Sequence, residues 1–119
     1  MKTHQKLEVW QESIKLVRLI YEITKLFPAE EKYGITSQIR RASVSIACNI
    51  AEGAARQSDR EYLRFAYISR GSLSEVETLL IISKELGNIG ETDLASIGKV
   101  CNRESALLNG LIKKLKSSL

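Results

Sequence analysis

Apolar residues recur every three or four positions along four long segments that together cover nearly all of the 119-residue chain. That repeat is the signature of amphipathic helices and leaves little room for strands. The first segment, about 7–27, sets Trp10, Ile14, Val17, Tyr21 and Thr24 on one stripe, and Pro28 stops it. Gly34, in the following loop, is expected to take a positive φ. The second, about 36–53, takes Thr36 as its N-cap and turns Ile39, Ala42, Ile46 and Ile50 inward, with Gly53 loosening its end. Its many small residues admit a close neighbour. The third, about 59–86, opens on a capping box of Ser58 and Glu61 and closes at Gly87. The fourth, about 93–115, is expected to be capped near Thr92, with Gly98 and Gly110 marking close packing or a kink and the tail KKLKSS fraying.

Helices of this length span about 30 Å, and short connections favour opposed neighbours. The fold class expected is therefore all-α, an antiparallel up-and-down four-helix bundle forming one domain over residues 1–119. The run Leu79-Leu80-Ile81-Ile82 points in four directions about 100° apart, so one core face does not hide all four. These residues are candidates for an oligomer interface, and a slightly irregular bundle that buries them itself is the alternative. With 44% hydrophobic residues the core needs no staple, and two cysteines, Cys48 and Cys101, fit a reducing cytoplasm. No window approaches the roughly 20 apolar residues of a membrane helix, so no membrane partner is expected.

Catalysis is short of components. His4 is the only histidine, and it precedes the first helix, where the chain is expected to be mobile. No Ser-His or Cys-His pair is evident, and no Glu-x-x-His motif supports a di-iron bundle site. Glu30, Glu31, Glu75 and Glu77 lack the companion loops of a cation site and read as solvated faces or helix pairs. Gly87-Asn-Ile-Gly90 reads as a helix-to-helix turn. No enzyme activity, metal or cofactor is expected.

The 18 Lys and Arg exceed the 14 Asp and Glu only modestly, but their placement is uneven. Between Tyr33 and Ser83 there is no lysine, and Arg40, Arg41, Arg56, Arg60, Arg64 and Arg70 carry all the positive charge. A guanidinium is a planar fork suited to carboxylate or phosphate, so two destinations are sensible. One is a polar seam between the second and third helices: Arg41, Ser45, Asn49, Glu52 and Arg56 share a face, and Glu61, Ser69, Ser72 and Glu75 can answer them. The other is phosphate binding by outward Arg40, Arg60, Arg64 and Arg70, joined by Lys113, Lys114 and Lys116. Charge alone favours the seam.

The pieces Val9-Trp10-Gln11, Phe27-Pro28 with Tyr33-Gly34, Gln38-Ile39-Arg40-Arg41, Asn49-Ile50-Ala51-Glu52-Gly53, Arg56 with Ser58, and Gly71-Ser72 with Glu75 give the chain a resemblance. It resembles the bacterial four-helix bundle proteins encoded inside 23S rRNA intervening sequences. The resemblance implies a four-helix protomer and, as in several relatives, a ring-shaped homopentamer. A related branch, the accessory variability protein of diversity-generating retroelements, pairs with a reverse transcriptase and binds nucleic acid through a basic surface. RNA or DNA, a protein such as a reverse transcriptase, and the chain itself are thus the partners implied. By the same resemblance Asn49, Glu52, Arg56 and Glu75 belong to the seam, Gly53 to a turn and Gly71 to a close helix contact.

Overall fold

The computed structural model describes residues 2–119, and among them the structure is all-α with no strand. Four long helices follow one another: α1 (Glu8–Thr24), α2 (Ile35–Ala54), α3 (Asp59–Glu85) and α4 (Glu91–Ser117). Short 3-10 turns at Thr3–Lys6 and Ala29–Glu31 precede α1 and α2. Each helix packs on two others, α1 on α2 and α4, and α3 on α2 and α4, while neither diagonal pair approaches closely. The result is a compact body of 45 × 23 × 23 Å.

Local chemistry explains most boundaries. Ser58 Oγ accepts the backbone N–H of Glu61 at 3.2 Å, so α3 begins where its capping residues stand. It ends in a Schellman turn: Gly87 adopts φ +79°, its N–H bonds to Lys84 O at 3.0 Å, and Asn88 N–H bonds to Ser83 O at 2.8 Å. Gly87, not Gly34, is the glycine with positive φ; Gly34 has φ −110° and serves as N-cap of α2. Thr36 lies inside the first turn, with its hydroxyl buried and unpartnered. Likewise Gly90 rather than Thr92 precedes α4. The first helix stops at Thr24, short of Phe27, because Pro28 disfavours helical geometry in the residue before it and the chain leaves through 3.1 Å turns from Leu26 N–H to Ile23 O and Phe27 N–H to Thr24 O. At the other end the basic tail remains helical. Leu115 is buried, and Ser118 Oγ donates to Asp59 Oδ2.

The main core joins all four helices through Leu16 and Ile20, Ile39, Ile46 and Ile50, Leu73, Val76 and Leu80, and Ile97, Cys101 and Leu108. A smaller cluster of Ala66, Ile112 and Leu115 closes one end. The α2–α3 contact is the most extensive, as the small residues of α2 allow. Ser69 Oγ reaches across it to the carbonyl of Ile46 at 2.9 Å. Gly53 is where side chain is least tolerable: a Cβ there would lie 2.7 Å from Tyr62 Cδ1 and 2.9 Å from Phe65 Cβ. Gly71, Gly98 and Gly110 meet nothing within 4 Å, so close packing does not account for them.

Candidate nucleic-acid interface

The core stripe of α3 runs through Phe65, Ala66, Ser69, Leu73 and Val76. Arg60, Arg64, Tyr67 and Ile68 fall on the other side and are exposed. Arg60 and Arg64 stand one turn apart, and neither forms an ion pair among the described residues. With Leu63, Tyr67 and Ile68 they line a shallow depression of about 500 Å³. Arg70 lies over the Tyr67 ring at 4.9 Å and donates from Nη1 to Asn109 Oδ1 of α4 at 3.3 Å.

That bond, together with the one between Ser118 and Asp59, sets the register of α3 against α4. Asn109, Lys113 and Lys116 are exposed and spaced by four and three, so they share one stripe beside α3, with the two lysines level with Arg60 and Arg64. Arg60, Arg64, Arg70, Lys113 and Lys116 are thus exposed cations along the same length of two neighbouring helices, and together they are called the α3–α4 ridge. Lys114 belongs elsewhere: it borders a cleft with Leu7, Ala54, Asp59 and Tyr62. Burial, and secondarily the charge of Asp59, raises the Tyr62 phenol above its usual pKa.

Other arginines serve the protomer. Arg40 is half-buried, donates from Nε to Thr24 Oγ1 at 2.8 Å and lies over the Tyr21 ring at 4.6 Å, so it belongs to the α1–α2 contact and not to an outward phosphate surface. Arg103 reaches Glu8 at 3.2 Å and Glu12 at 3.4 Å. Arg56 pairs with Glu52 at 2.9 Å along one exposed edge and covers the Phe65 ring at 4.8 Å. The seam between α2 and α3 is correspondingly smaller than its expected membership. Ser45 and Ser72 hydroxyls meet at 2.9 Å, and Asn49 Nδ2 donates to Ser45 O and Oγ. Arg41 and Glu75 are exposed, form no ion pair among the described residues, and instead border an open groove of about 560 Å³ with Gln38, Ala42, Ser45 and Ser72.

The four-residue apolar run divides in two. Leu79 and Leu80 retain 7% and 2% exposure inside the protomer, which removes them from any outer contact, whereas Ile81 and Ile82 remain 59% and 40% exposed. Leu86, at 59%, follows one turn beyond Ile82.

Glu104 is the functional-looking residue that sequence reasoning missed. It is fully buried, and neither carboxyl oxygen has a hydrogen-bond partner among the described residues. Burial, and then the charge of Glu12, pushes its pKa up to about 9, while burial, Glu77 and Glu104 push the Cys101 thiol up to about 12. The stripe Ile97, Cys101, Glu104, Leu108, with spacings of four, three and four, is the signal that locates it. Among the described residues no three His, Cys, Asp or Glu side chains converge as a metal site. His4 packs edge-on to Trp10, with ring centroids 5.4 Å apart. Among the described residues no helix is long and apolar enough to cross a membrane.

Comparison with known families adds to this geometry. The model of the family described as 23S rRNA-intervening sequence protein matches residues 5–110. A crystal structure of a protein with unknown function, from the S23 ribosomal protein family of Bacteroides thetaiotaomicron, is 24% identical with a TM-score of 0.79. That similarity covers 88% of this chain and 98% of that one, and it speaks to the fold alone. No curated protein matches the sequence.

Proposed function

Because the chain belongs to the 23S rRNA-intervening sequence protein family, we propose that it is a non-enzymatic cytoplasmic protein that binds structured RNA through the basic ridge of α3 and α4. The observation that carries this reading is the pair Arg60 and Arg64: exposed, one turn apart and without carboxylate partners among the described residues. A guanidinium without a carboxylate partner is available to a phosphate even where, as at Arg64, it rests over an aromatic ring (Phe65, 5.3 Å), and Arg70, Lys113 and Lys116 add further positive charge.

The protomer in this reading is an antiparallel up-and-down bundle. Supporting it, Ile46 pairs with Ser69 and Ser45 with Ser72, and Arg70 pairs with Asn109 while Asp59 pairs with Ser118, so partner numbers descend as helix numbers rise. It assembles as a ring of copies, five by the resemblance. Ile81, Ile82 and Leu86 supply an exposed apolar patch at the far end of α3 from the ridge, where a neighbouring copy is accommodated without covering the arginines.

Titration with a structured RNA over a series of salt concentrations tests the function. Contact by about five cations predicts affinity falling with a log-log slope near −4. An absence of binding at low salt overturns the reading and leaves a protein scaffold in its place.

A further inference from the structure

The depression on α3 has a composition that phosphate binding alone does not require. Its rim is cationic, but its floor is Leu63, Tyr67 and Ile68, with Tyr67 and Ile68 37% and 40% exposed. A duplex presents phosphates and groove edges, and its bases are stacked out of reach of a ring lying on a helix flank. An unpaired base has a free face and stacks on aromatic side chains.

Charge argues for a strand over a protein occupant. The apolar floor is bordered by two arginines without ionic partners among the described residues, so its occupant must bring anions beside an apolar plate. A single strand does so by construction, with a base lying between phosphates. Arg60 and Arg64 are separated by about 6 Å of helix rise, within reach of neighbouring phosphates of one strand. Arg70, which does not line the depression and bonds to Asn109, lies over the Tyr67 ring at 4.9 Å and so takes one face of it, which leaves the part of the ring that lines the depression for a base.

Resting on the RNA-binding reading above, the geometry points to a stacking site for an unpaired RNA base, with Tyr67 as the platform and Arg60 and Arg64 as the flanking phosphate contacts.

The test is direct titration of the full chain with a single-stranded RNA of about twelve nucleotides and with its perfect duplex, at equal salt. The single strand is expected to bind about tenfold more tightly. Tyr67→Leu is expected to weaken it about tenfold and to leave the duplex unchanged, while Tyr67→Phe retains the wild-type value. Equal binding of both RNAs, or a single-strand affinity indifferent to Tyr67→Leu in a variant that is folded by circular dichroism, overturns the stacking site and leaves the RNA-binding reading standing. Binding of neither RNA overturns both. A fall in molar mass of Tyr67→Leu by light scattering assigns the patch to a contact between copies and also overturns the site. The strand preference of the unaltered protein decides the matter even if the leucine variant does not fold.

Discussion

Glu104 of α4 lies within electrostatic reach of Glu12 of α1, and among the described residues only Glu12 of the two has a cation, the Arg103 guanidinium at 3.4 Å. Glu104 is therefore held neutral by burial first and by its neighbour's charge second. The sign of the stability effect follows. The folded state keeps a proton that the unfolded chain releases above its ordinary pKa of 4.5, so stability falls as pH rises from there towards about 9 and levels off beyond. The slope contributed by this one group is at most about 1.4 kcal/mol per pH unit. Glu104→Gln removes the titrating proton, so urea midpoints should show the variant gaining on the parent between pH 5 and pH 9. Parallel profiles would contradict the assignment.

Gly53 and Gly71 are expected to respond in opposite directions to alanine. At Gly53 the new Cβ meets Phe65 Cβ at 2.9 Å, a backbone-proximal atom with little freedom to retreat, so Gly53→Ala should cost about 1–3 kcal/mol. At Gly71 nothing lies within 4 Å, and Gly71→Ala should gain up to about 1 kcal/mol from helix propensity. Chemical denaturation of the two variants reads both signs.

The thiols should separate cleanly. Cys48 is exposed on α2, whereas Cys101 is buried and its pKa is pushed up to about 12. A thiol reagent at neutral pH is expected to modify Cys48 rapidly and Cys101 only on unfolding. Two fast equivalents in the native protein would show that α4 opens.

Ile81→Asp combined with Ile82→Asp places two charges on the exposed apolar patch. Light scattering should show the mass falling from an oligomer to the protomer, with helicity retained because neither side chain is in the core. A wild-type protomer at micromolar concentration would contradict this account of the patch.

How far the sequence alone carried depended on how local the deciding physics was. Ser58 with Glu61 and Gly87 act within five residues of themselves, and α3 starts and stops where they indicate. Threonine is a good cap, so the sequence points to Thr36 and Thr92 as the starts of α2 and α4, yet the chain enters through Gly34 and Gly90, and the entry path is a tertiary matter. Arg40 and Arg41 show the same limit. Adjacent on a helix, they differ by about 100°, and which of them meets α1 depends on the rotation of α2 in its packing. Arg40 took Thr24 and Tyr21, and Arg41 was left facing the open groove. Leu79 and Leu80 likewise went inward by packing that the four-residue run does not encode. Glu104 was legible by position on its stripe but concealed by its charge, since glutamate is rarely fully buried.

The most direct test of RNA binding by the α3–α4 ridge is the affinity of the Arg60→Glu, Arg64→Glu double variant for a structured RNA at low salt. It should be compared with Arg18→Glu, which reverses an exposed charge on the diagonally placed helix. The ridge variant is expected to lose at least about a hundredfold in affinity and to flatten the salt dependence, with its fold intact and Arg18→Glu close to wild type. Equal, small losses in both variants would show that the positive charge acts only in bulk, and would contradict a binding site on α3.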